Sequence, residues 1–135
     1  MPSAPVFNEI APHLYEQSYP ATVDDEALAD FLAMLERRQP ELERPHAWIA
    51  DFSALRSANA RQRRMFAEFQ ERTAPLDRAH NAGSALVVPN GLVRGLITAV
   101  HWLQPPVYPT VVVASRAEAL RWTQRQLADR GVELH

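Results

Sequence analysis

Three short apolar runs set the limits on what this chain can fold into. They are Ala47-Trp48-Ile49-Ala50, Ala85-Leu86-Val87-Val88 and Thr110-Val111-Val112-Val113-Ala114. Each has strand length and lacks the polar alternation of a half-solvated strand, so each reads as a strand buried on both faces. The stretches between them carry a different period. Leu28, Phe31, Leu32 and Leu35 recur at i, i+3, i+4 and i+7 and predict a helix over Val23–Gln39. Met65, Phe66 and Phe69 mark a second helix over Ala58–Arg72, and Val93, Leu96, Ile97 and Val100 a third over Leu92–Leu103. Strand-length runs alternating with helices call for a mostly parallel sheet, because parallel neighbours need a crossover between them.

The punctuation agrees with this alternation. Pro5 to Tyr19 alternates weakly around Pro12 and predicts two short strands as an edge hairpin. Thr22 and Asp25 stand three apart, like the two members of a capping box, before the first helix. Pro75, Asn81 and Gly83 predict a loop over Thr73–Gly83. Pro105 and Pro106 stop the third helix, and Ser115 with Glu118 forms a capping box opening a last helix that ends near Arg130 at Gly131. The expected order is β-β-α-β-α-β-α-β-α. That is an α/β fold with a mostly parallel central sheet of four to five strands, an N-terminal edge hairpin and four helices, as one domain over residues 1–135.

Composition excludes several classes of function. The 135 residues suffice for one buried core. The 14 basic and 16 acidic residues give a net charge of −2, against a general nucleic-acid or anionic-membrane binder. No cysteine is present, so there is no disulfide, thiolate ligand or cysteine nucleophile. Every basic residue is Arg, which removes Schiff-base and phosphate-loop lysine chemistry and fits a GC-rich bacterial genome. Met1-Pro2-Ser3-Ala4-Pro5 shows no secretory signal, and Gly91–Leu103 is too short and polar to span a bilayer. A soluble cytoplasmic protein without an integral membrane segment is expected.

Three segments carry a family likeness. Trp48-Ile49-Ala50-Asp51-Phe52-Ser53 looks like a hydrophobic strand ending in Asp-Leu-Ser, and Gly83-Ser84-Ala85-Leu86-Val87-Val88 like the next core strand. Val111-Val112-Val113-Ala114-Ser115-Arg116-Ala117-Glu118-Ala119-Leu120-Arg121-Trp122 looks like a closing strand, cap and helix. Together they resemble the STAS domain, the fold of anti-sigma-factor antagonists, and its relatives grouped with CRAL-TRIO lipid-binding domains. One departure is functional. In antagonists of the phospho-switch type, a phosphorylated Ser stands nine residues after the central Asp, preceded by Asp and followed by Ser/Thr-Gly. Here the matching stretch is Asn59-Ala60-Arg61-Gln62. The resemblance therefore implies a STAS-like scaffold without the usual phosphorylatable serine.

Open α/β sheets bind ligands beyond the carboxyl ends of their strands. The candidate residues there are Asp51 and Ser53, with Ser57, Asn59, Arg61 and Arg64 around the start of the second helix, and Asn90 and Arg94 at the start of the third. Arg94, Thr98 and His101 share one face of that helix and read as a polar pocket wall, or as an ordinary solvated face. Arg61, Arg63 and Arg64 oppose the helix dipole, so Asp51 or Glu68 is expected to compensate them. Asp51 reads as a titrating acid or as a tie between loop and helix. The five histidines, His13, His46, His80, His101 and His135, show no metal-ligand spacing, and no serine sits in a nucleophile elbow. Neither cofactor nor metal is expected.

Two functions follow. The first is a non-enzymatic protein-interaction or regulatory module whose partner is another protein or a second copy. It would engage through the second helix, the loops around Asn59 and the apolar corner made by Trp102, Leu103, Pro105, Pro106, Val107 and Tyr108. The alternative is a small apolar or lipid ligand held between helix and sheet by Phe66, Phe69, Val93, Ile97 and Trp102. An enzyme with a site at the strand ends ranks third.

Overall fold

The computed structural model describes residues 4–133. Met1 to Ser3, part of the stretch read for a targeting signal, and His135 lie outside the described residues. One sheet holds β1 (Val6–Ala11), β2 (Leu14–Ser18), β3 (His46–Asp51), β4 (Asn81–Val87) and β5 (Thr110–Val113), in that spatial order. β1 and β2 form the antiparallel hairpin, and every later pairing is parallel. The helices are α1 (Asp25–Arg38), α2 (Ala60–His80), α3 (Gly91–Leu103) and α4 (Arg116–Asp129), with a 3-10 turn at Gln39–Glu41. None is long and apolar enough to cross a membrane.

Alternation along the strands divides the core in two. Tyr15, Trp48, Ala50, Leu86 and Val88 face α1, α2 and α3 and pack with Leu28, Phe31, Leu35 and Val93. Leu14, Ala47, Ile49, Ala85 and Val87 face α4 and pack with Ala119 and Leu127. α4 lies so close to β4 that a Cβ at Gly83 would fall 2.7 Å from the Trp122 ring. Only a residue without a side chain fits there.

The helix starts follow from capping. Asp24, not Thr22, caps α1, its side chain accepting from the Ala27 amide at 2.7 Å. Asn59 and Gln62 make a reciprocal box at α2. At α4 the Ser115 side chain accepts from the Glu118 amide, and Gly131 at φ +86° ends the run.

Two expectations need correction. Thr73–Gly83 is not a loop, because α2 runs through Pro75 to His80 and β4 begins at Asn81. Proline removes the amide that would serve the Glu71 carbonyl. Both Pro75 and Glu71 are exposed, so water can replace that bond, while buried Thr73, Ala74 and Asp77 anchor the far half of the helix. β5 is not buried on both faces. It is an open edge of the sheet, with Val112 38% exposed.

Candidate ligand cleft

Four of the ten candidate residues, Asp51, Asn59, Asn90 and Arg94, hold the backbone around the strand ends. Asp51 Oδ1 accepts from the Ser53 amide at 2.8 Å and shapes the turn after β3. Ser53 and Ser57 are exposed. Asn59 caps α2, and its Nδ2 donates to Asp25 Oδ1 at 3.2 Å. Arg61 lies 3.6 Å from the other Asp25 oxygen. The basic start of α2 is therefore compensated by the acidic start of α1, whereas Asp51 and Glu68 were the expected partners. Arg64 is exposed. Asn90 caps α3 by accepting from the Val93 amide at 2.9 Å, and Arg94 Nη2 donates to the Val88 carbonyl at 3.2 Å. The Thr98 hydroxyl donates to the Arg94 carbonyl at 3.0 Å. Of the ten, His101 alone lines a cavity described below.

That cavity lies between α3, α2 and the sheet. Phe52, Leu55 and Phe66 form one side, Val93, Leu96, Ile97 and Val100 the roof, and Leu86 and Thr110 the floor. The enclosed volume is about 60 Å³, and about 550 Å³ counting the open mouth. The enclosed part holds a few water molecules. A ligand of ordinary size needs roughly 300 Å³ or more, so α3 must lift to admit one.

The polar groups of the cleft are few. Arg63 lines the cleft with its guanidinium donating to the Ala58 carbonyl. His101 is half-buried, and burial lowers its pKa, which keeps the ring neutral at neutral pH. Gln70 also lines the wall, and its Oε1 is buried without a hydrogen-bond partner. An orphaned acceptor in an apolar wall favours a ligand that brings a donor. Tyr108 closes one end.

Of the lining expected from sequence, Phe66, Val93 and Ile97 are present. Phe69 lines a different cavity, and Trp102 points outward, 83% exposed. Sequence reasoning missed Gln70 and placed Tyr108 in the apolar corner after α3, not in the cleft. Gln70 lies one helical turn beyond Phe66, and that spacing was the available signal.

The strand ends hold one further pair. Arg116 Nε donates at 2.8 Å to Glu16 Oε2, and Glu16 is buried. The bond joins the start of α4 to β2 across the whole chain.

No family model matches the chain, and no curated protein matches it. Among solved structures it is similar to an uncharacterized protein from the DUF3478 family with a SpoIIAA-like fold, from Shewanella loihica. The TM-score is 0.60 at 12% identity, covering 90% of this chain and 94% of that one. The fold is thus SpoIIAA-like, the STAS-like architecture that the three sequence segments resemble.

Proposed function

We propose that residues 1–135 form one STAS-like domain acting in the cytoplasm as a non-enzymatic binding module, which takes a small apolar molecule beneath α3. The observation that carries this is the apolar cleft beneath α3. α3, α2 and β4 enclose a cleft lined by Phe52, Phe66, Leu86, Val93 and Ile97. That feature moves the small-ligand reading ahead of the protein-partner reading expected from sequence. The non-enzymatic part is supported by Asp51, Asn90 and Arg94, each bonded to its own stretch of backbone.

The test is titration with the neutral fluorophore N-phenyl-1-naphthylamine, using wild type and Leu96→Trp, which fills the cleft from its roof. Saturable binding that the variant weakens tenfold or more is the expected result. Binding that is absent, or equal in both proteins, would overturn the proposal.

A second reading rests on the outer face of α3. Leu92, Trp102 and Leu103 are 71%, 83% and 59% exposed, an apolar patch suited to self-association through a second copy.

A further inference from the structure

Resting on the cleft reading for the apolar part of the molecule, we infer that the ligand carries an ammonium head and that a second cavity behind Tyr108 is built to hold it. This cavity, of about 50 Å³, lies between the far half of α2, the 3-10 turn and the strands. Trp48, Phe69 and Tyr108 line it, with Asp77 among them. Three aromatic rings around a carboxylate are the chemistry that recognises an organic cation. Ring faces attract positive charge, and the acid neutralises it.

Asp77 lacks a countercharge. Its Oδ1 accepts from Gln39 Nε2 at 3.2 Å and Asn81 Nδ2 at 3.3 Å, and its Oδ2 from the Thr73 hydroxyl at 3.1 Å. All three donors are neutral. Among the described residues, no ion pair includes Asp77. Burial holds its carboxyl above the usual range, and those three bonds only partly offset the cost. Two carboxylate oxygens offer about four acceptor sites, so one is left for an incoming N–H. The volume suits an ammonium or methylated ammonium group and little more.

The two cavities share one wall. Tyr108 lines both. It lies between α3 and β5, in the segment that carries Pro105, Pro106 and Pro109. Burial, with the Asp77 charge behind it, pushes the Tyr108 phenol up, so the ring stays neutral. Turning it aside joins an apolar chamber to an acidic aromatic one. The molecule that fills both is an alkyl or aryl amine.

Calorimetric titration at pH 7.5 with n-octylammonium, octan-1-ol and octanoate reads head and tail separately. Octylammonium is expected to bind tenfold or more tighter than octanol, and octanoate weakest. Asp77→Asn should erase the ammonium preference and leave octanol unchanged. Equal affinities for octylammonium and octanol in wild type would overturn the ammonium head while leaving the cleft reading intact. If octanol also fails to bind, the cleft reading falls with it. The wild-type series decides the matter even where the Asp77 variant does not fold.

Discussion

Acidification from pH 7 to pH 4 destabilises this fold through one imidazole. His46, at the start of β3, is 1% exposed and packed beside the Tyr15 and Trp48 rings. Its Nδ1 lies 3.0 Å from the Glu43 carbonyl oxygen and donates to it, and its Nε2 is buried without a partner. Burial lowers the pKa to about 4. The Glu43 bond opposes that shift, and His80, Arg44 and His13 add to it. The unfolded chain takes up the proton near pH 6.5, but the folded chain resists until about 4. Stability from this group is therefore complete above pH 6.5 and is lost as pH falls from 6.5 to about 4. A gap of some two and a half units is worth about 3 kcal/mol. Asp77 acts with the opposite sign, since its raised pKa stabilises the folded state as pH falls. The comparison must therefore be with His46→Asn, which can keep a donor to Glu43 and does not titrate. Urea denaturation at pH 7.5, 6, 5 and 4.5 measures both proteins. The stability difference between wild type and variant should shrink by about 3 kcal/mol across that range. Parallel pH profiles would refute the reasoning.

Three other perturbations follow from the packing. Gly83→Ala places a Cβ 2.7 Å from Trp122 and 3.1 Å from Gln126, and should cost roughly 1–3 kcal/mol in urea denaturation; an unchanged midpoint would contradict the tight α4–β4 contact. Arg116→Ala leaves buried Glu16 without its cation; Arg116 is half exposed, so the loss is expected at about 1–2 kcal/mol by thermal melting, and raised salt should narrow it. Trp102→Ser should leave stability within about 0.5 kcal/mol. If the outer face of α3 self-associates, the same variant shifts sedimentation equilibrium from dimer to monomer, and a wild-type monomer at high concentration would remove that second reading.

The strands were legible because buried parallel strands are written as continuous apolar runs, as Trp48-Ile49-Ala50 and Leu86-Val87-Val88 show. The hairpin could be read from Pro12, and the ends of α4 from Ser115 and Gly131. The far half of α2 was not legible, since Pro75 is the strongest local signal against a helix and the anchoring of Thr73, Ala74 and Asp77 is a tertiary effect. That one misreading hid the polar cavity. Thr73, Asp77 and Asn81 stand four apart, a buried polar stripe once the helix is continued, but unconnected residues in a loop. The cleft was half legible. Val93, Ile97 and Phe66 followed from helical periodicity, whereas the outward turn of Trp102 depends on how α3 sits on α2, which no local pattern records. The candidate residues at the strand ends were chosen by topology. Several of them, Asn59 and Asn90 among them, prove to be engaged in caps and turns, which the same topology also requires.

The central claim is that the space beneath α3 admits an apolar molecule. Its most direct test is an amide-resolved NMR titration of the protein with octan-1-ol. The account predicts saturable shifts confined to α3, the first half of α2 and the β4–β5 edge, with Val93, Ile97, Phe66 and Thr110 among the largest and α4 silent. Shifts that are absent, or that centre on the outer face at Leu92 and Trp102, would contradict it.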